Sequence, residues 1–147
     1  MKKIPILMFA FAILSGMASG QKNVPENIKK EFAKKYPSAQ NIKWASEESN
    51  EWEAEFKIND TEMSASYDNK GTWLESETEI TAKDLPAAVT NTLTKDFAGY
   101  KTGEMSAIEN PRMKGFELAL KKGGKSIEVV IDNAGKVLKK TEVKKEK

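Results

Sequence analysis

Tyr67-Asp68-Asn69-Lys70-Gly71-Thr72-Trp73-Leu74 returns 64 residues later as Ile131-Asp132-Asn133-Ala134-Gly135-Lys136-Val137-Leu138. An Asp-Asn-Xaa-Gly segment between apolar runs reads as a hairpin turn with glycine at the left-handed position. A second pair of markers lies upstream. Asn23-Val24-Pro25 followed by Ile28, Phe32 and Tyr36 reappears as Asp84-Leu85-Pro86 followed by Val89, Leu93 and Phe97, shifted by 61 residues. Self-similarity of this kind predicts one supersecondary design used twice and packed against its copy.

Within each copy the hydrophobic period changes once. Val24, Ile28, Phe32 and Tyr36 recur every fourth residue with Lys29, Lys30, Lys34 and Lys35 on the other face, the pattern of an amphipathic helix. Asn23 is placed to cap it, Pro25 suits the first turn, and Pro37 stops it. In the second copy Asp84, Pro86 and Gly99 take these roles. After the helix, Trp52, Ala54, Phe56 and Ile58 alternate with Glu51, Glu53, Glu55 and Lys57, the period of a half-buried strand. The same reasoning predicts strands near 40–46, 51–58, 62–67 and 72–79, then 102–108, 114–121, 126–131 and 136–143. The expected fold class is α+β: two tandem αβ4 repeats, each one helix packed on a four-stranded antiparallel sheet. Its core comprises the helix residues already named together with Trp52, Phe56 and Ile58, the alternate residues Phe116 to Leu120, and Ile127 to Ile131. One helix cannot cover both faces of four strands, so one sheet face is left for water or a partner.

Residues 1–20 begin with Lys2 and Lys3, run apolar from Ile4 to Leu14 and end in small residues, Ser15 to Gly20. That is the pattern of an export signal cleaved before Gln21, with an uncleaved anchor as the alternative. The expected division is therefore 1–20 signal peptide, 21–80 first unit, 81–143 second unit and 144–147 basic tail. The expected location is periplasmic or secreted. The chain has no cysteine, which excludes a lipid-modified cysteine and any disulfide framework. Residues 21–80 hold 8 lysines against 13 acids, net −5, and residues 81–147 hold 14 basic groups against 9 acids, net +5. Such a division either holds the halves together or orients a partner during encounter. An exported chain of zero mature charge argues against nucleic acid, so the lysines near the end read as a solvated terminus.

Tandem helix-plus-four-strand units behind an export signal, with Val24-Pro25 and Leu85-Pro86 at the helix starts and turns at Asp68 to Gly71 and Asp132 to Gly135, resemble the exported PepSY-like proteins. These are described as similar to beta-lactamase inhibitory protein. The resemblance covers residues 23–143. It implies an inhibitor or binding module that grips another protein with its open sheet surface.

Histidine and cysteine are both absent, which removes the usual neutral-pH base, the thiol nucleophile and most transition-metal ligands. An enzyme is not expected, and no cofactor is implied. Glu75, Glu77 and Glu79 share one side of a strand, a spacing of roughly 7 Å that suits carboxylate-dependent glycan cleavage or binding in the envelope. Nothing nearby in sequence predicts burial of one of them, so a solvated strand face explains the run. Glu53 and Glu55 join Glu75 and Glu77 as oxygen donors for calcium, yet a flat sheet does not wrap an ion, and no metal site is expected. If Leu74 and Ile80 face the core, alternation sets Trp73 among the glutamates as an exposed binding anchor. With the opposite parity Trp73 belongs to the core. The partner-binding residues read from sequence are thus Trp73, Glu53, Glu55, Glu75 and Glu77, directed at a protein partner, with no nucleic acid and no membrane after signal cleavage.

Overall fold

Both helices start directly after a proline: α1 (Glu26–Lys35) follows Pro25 and α2 (Ala87–Asp96) follows Pro86. Proline has no N–H to leave unpaired in a first turn, and its φ is already near the helical value. The computed structural model describes residues 24–47 and 50–143. The segment 1–20 read as an export signal, Asn23 and the tail 144–147 lie outside the described residues. Asp84 does not cap α2 as expected. Its Oδ2 accepts hydrogen bonds from Thr81 N and Thr81 Oγ1 at 2.8 and 2.7 Å, closing a capping box on a short 3-10 turn at Ala82–Asp84. The chain then needs Leu85 and Pro86 to turn into α2.

The strands are β1 (Gln40–Glu47), β2 (Glu51–Ile58), β3 (Thr61–Asp68) and β4 (Trp73–Glu79) between the helices. After α2 come β5 (Lys101–Asn110), β6 (Met113–Lys122), β7 (Lys125–Asp132) and β8 (Val137–Val143). All eight form one antiparallel sheet in the order β1 to β8. The expectation of one helix on four strands per repeat left open whether the two sheets join, and here they are one. Ser76 to Glu79 of β4 pair with Glu109 to Ser106 of β5, and Ile80 N donates to Met105 O at 3.1 Å, so the two halves are joined by backbone hydrogen bonds.

Register separates the two faces of this sheet. The row Met63, Thr78, Ala107, Phe116, Ile131 runs from β3 to β7 on the helix side. Ile28 and Phe32 of α1 and Tyr36 at its C-cap pack there with Ala54, Phe56, Ala65 and Tyr67; Val89 and Phe97 pack with Phe116, Leu118, Leu120, Ile127, Val129 and Ile131. The predicted core is thereby found in two clusters. Trp52, Ile58 and Leu93 are only partly buried at their margins. Phe32 is the hub of the first cluster, its ring 5.0 to 6.3 Å from those of Tyr36, Trp44, Phe56 and Tyr67.

Tyr67 lies in this cluster with a buried hydroxyl that has no hydrogen-bond partner among the described residues. An unpaired buried hydroxyl costs about 1–3 kcal/mol. Tyr67→Phe keeps the ring contacts and is expected to raise unfolding free energy by about 1 kcal/mol in a urea titration. A loss of stability would show that the hydroxyl has a partner.

The repeated Asp-Asn-Xaa-Gly turns have a definite mechanical role. Asp68 Oδ1 accepts from the backbone N–H of Lys70 and Thr72, and Asp132 Oδ1 accepts from those of Ala134 and Lys136, all at 2.8 to 2.9 Å. Each turn then docks on its helix. Asn27 Nδ2 donates to Asn69 O at 3.3 Å, and Thr92 Oγ1 donates to Gly135 O. The sequence marker that reveals the repeat is the clip between helix and hairpin.

Candidate functional site

The opposite face of the sheet carries a second set of side chains that neither helix touches. Three register rows define it. Glu53, Ser66 and Glu75 lie side by side on β2, β3 and β4; Glu55, Ser64, Glu77, Ile108 and Gly115 continue from β2 to β6; Glu79, Ser106, Glu117, Val130 and Lys139 run from β4 to β8. Glu128 of β7 stands between Ala119 and Thr141 on the same side. Small serines on β3 and β5 thus alternate with glutamates on β2, β4 and β6.

No described helix or loop covers this face, yet its centre is dry. Glu77 is 3 % exposed, Glu117 7 %, Glu53 8 %, and the adjoining Ile108 and Val130 2 % and 3 %. Long side chains on a twisted sheet stand close enough to shield the shorter ones between them. Gly115 marks the tightest point, since a Cβ there would lie 2.7 Å from Ile131 O across the β6–β7 pair. The centre of this face, called the trough below, sets Ile108 and Val130 among buried acids and hydroxyls.

Burial sets the charge state of these acids. Glu77 stands beside Ile108, and loss of water, reinforced by the charges of Glu75, Glu53 and Glu128, pushes its pKa up to about 7 despite a 3.2 Å hydrogen bond from Ser106 Oγ. Glu117, next to Val130, rises to about 8 through desolvation and the charges of Glu77, Glu128 and Glu75, with Lys139 opposing. Desolvation also raises Glu75 and Glu128. Asn110 Nδ2, 3.0 Å from Glu75 Oε2, and Lys139 limit the rise at Glu75, while Lys139 limits it at Glu128. Glu77 Oε1 is buried without a hydrogen-bond partner among the described residues.

Of the sequence-predicted residues, Glu53, Glu75 and Glu77 come together in the trough, and Glu55 sits exposed on its rim. Trp73 does not join them. A bulge in the β3–β4 pair sets Glu75 opposite Ser66 but Trp73 opposite Tyr67, so Leu74 is the extra residue and Trp73 turns to the helix side. There it packs against the α1 cluster, donates to Ser76 Oγ at 2.7 Å and lies under Lys35 Nζ, 3.8 Å from its ring centroid. The solvated-face reading of the glutamate run is likewise corrected by the burial of Glu77. Glu117, Glu128 and the serines were missed. The alternations Phe116-Glu117-Leu118 and Ile127-Glu128-Val129 carried a signal for the first two, because they set each acid opposite the core.

The description beta-lactamase-inhibitor-like, PepSY-like matches this chain twice, over residues 17–66 and 50–139. The chain belongs to the PepSY-like family. Among solved structures this PepSY-like chain is similar to a BLIP-like protein from Bacteroides fragilis, with 22 % identity, TM-score 0.76, and coverage of 87 % of this chain and 92 % of the other. It is also similar to a DUF2874 family protein from Bacteroides uniformis, with 16 % identity, TM-score 0.75, and coverage of 80 % and 88 %. A candidate periplasmic protein from Bacteroides eggerthii shares 19 % identity at TM-score 0.75, covering 82 % and 90 %. At these identities the likeness is one of fold. A comparison with curated proteins finds no match. No described helix is long and apolar enough to cross a membrane.

Proposed function

We propose that this PepSY-like chain is an exported, non-enzymatic binding module of inhibitor-like type that docks a protein partner in its trough, in the periplasm or outside the cell. On this reading residues 1–20 are the leader, and 21–80 and 81–143 are the duplicated units whose sheets merge to build the trough. The carrying observation is the burial of Glu53, Glu77 and Glu117, with Glu75 partly buried beside them, on the side of the sheet away from both core clusters. Buried carboxyls weaken a fold, and these serve no packing that smaller or apolar residues would not serve better. Retaining them is intelligible if the face meets a partner. Binding is favoured over acid–base chemistry because the shifted carboxyls of this face, Glu75, Glu77, Glu117 and Glu128, all move upward, whereas an acid–base pair has its two values pushed apart.

The absence of native cysteine makes any introduced thiol unique. Glu55→Cys places a photo-crosslinker on the trough rim, and Lys30→Cys places one on the exposed side of α1. With envelope extract, a discrete adduct is expected from position 55 and none from position 30. Equal labelling from both positions, or none from either, would overturn the docking reading.

A further inference from the structure

We infer that the trough accepts the cationic side chain of a lysine- or arginine-bearing segment of the partner, its head group set against Glu77 and Glu117. The inference rests on the docking reading above and names the chemistry of what docks. Glu77 supplies the decisive feature: its Oε1 is buried, unpartnered among the described residues, and carried by a strand whose neighbours place only Ser64 and Ile108 beside it. A buried acceptor without a donor is completed by a ligand that brings one. Glu117 stands one row away across β5, with Ser106 opposite it in the ladder and hydrogen-bonded to Glu77. The two carboxyls and the serine hydroxyl thus form one polar end of the trough.

An organic cation suits this polar end. A lysine or arginine head group brings several N–H donors to the carboxyls, and the buried Ile108 and Val130 beside them keep the surroundings poor in water. Among the described residues no group of three or more acids is arranged to hold a metal ion. Charge complementarity points the same way. Glu53 of β2, Glu75 and Glu77 of β4, Glu117 of β6 and Glu128 of β7 face the trough, Glu104 of β5 adds its charge toward Glu128, and Lys139 of β8 is the cation acting on Glu75, Glu117 and Glu128. At the rim Lys57 is engaged by its cross-strand neighbour Glu62 at 2.9 Å.

Docking a cation there has a thermodynamic signature that rim binding lacks. The incoming charge favours ionised Glu77 and Glu117, so binding releases protons and tightens as pH rises through the range in which these two acids titrate. An ordinary exposed carboxylate has finished ionising below that range and gives no such dependence.

The test titrates purified protein with hexalysine, and with hexalysine acetylated on every ε-amine, in calorimetry between pH 6 and pH 8.5. The hexalysine dissociation constant is expected to fall about tenfold or more over that interval, with proton release seen as a dependence of the measured heat on buffer ionisation. The acetylated peptide is expected not to bind. The isosteric double variant Glu77→Gln/Glu117→Gln should lose the pH dependence, while Glu26→Gln, exposed on α1 across the sheet, keeps it. Equal binding of the acetylated peptide, or a pH dependence untouched by the double variant, overturns the cation slot. If the position-55 crosslink then persists in the double variant, docking stands and only its cationic chemistry has failed; if that crosslink was never formed, the docking reading has failed first.

Discussion

Unfolding free energy is expected to fall by about 3 kcal/mol or more between pH 5 and pH 8.5, with Glu77→Gln and Glu117→Gln each removing part of the fall. The sign follows from the direction of the shifts. Below an ordinary carboxyl value of 4.5 both acids are protonated in folded and unfolded chains alike, and their effect on stability is nil. As pH rises past that value, the unfolded chain ionises freely while the trough still holds its protons, and the folded state loses ground. The loss is complete above about 7 for Glu77 and about 8 for Glu117. At 1.36 kcal/mol per pH unit these gaps correspond to about 3 kcal/mol and about 5 kcal/mol. The charge of Glu77 contributes to the rise at Glu117, so the combined loss is smaller than the sum. Glutamine preserves shape and the Ser106 contact without a charge to bury. Urea titrations at pH 5, 7 and 8.5 provide the measurement, and a native chain equally stable at all three pH values would mean that the carboxyls are well hydrated.

Gly135→Ala is expected to cost about 3 kcal/mol, more than alanine at any other turn glycine of the sheet. Gly135 has φ +84°, and a Cβ there would lie 2.5 Å from Ala88 O and 2.9 Å from Thr92 Oγ1. Alanine meets about 1–2 kcal/mol of left-handed backbone strain, and a further 1–3 kcal/mol follows because the α2 backbone must shift to admit the methyl group. Gly71 occupies the equivalent place in the first turn with φ +83°, but its nearest neighbour is the Asn27 side chain at 3.3 Å, which can yield. Gly124 has φ +77° and nothing within 4 Å. The expected order of destabilisation in thermal or urea unfolding is therefore Gly135, then Gly71, then Gly124. A Gly124→Ala loss as large as that of Gly135→Ala would show that backbone strain alone governs all three.

The contrast between those glycines illustrates what a linear pattern conveys. The two Asp-Asn-Xaa-Gly segments read as the same turn, and they are the same turn, down to the pair of N–H groups accepted by Asp68 and Asp132. How close each approaches its helix differs, because Asn27 meets one and the Ala88 carbonyl meets the other. Trp73 shows the same limit at the candidate site. Counting by twos from Leu74 sets it among the glutamates, but one extra residue in β4 opposite Tyr67 reverses the parity for everything before the bulge. Glu75 and Glu77 lie beyond that bulge, where the count holds, and they do share a face with Glu53 of β2. Glu117 and Glu128 share it too, although they belong to the half with an excess of lysines, because net charge by half says nothing about which side of a strand a residue occupies.

Period, prolines and turn residues by themselves determined the two helices, all eight strands and most of the core, since each depends on neighbours within a few positions along the chain. Only the tertiary structure decided that β4 pairs with β5 to make one sheet, and that Glu77 and Glu117 are buried on its open face. Both are long-range matters: hydrogen bonding between strands separated by α2, and the meeting of side chains from neighbouring strands. The candidate site is a product of that meeting, because the same glutamates standing in water would keep ordinary acidity, whereas beside Ile108 and Val130 they lose their hydration and hold their protons.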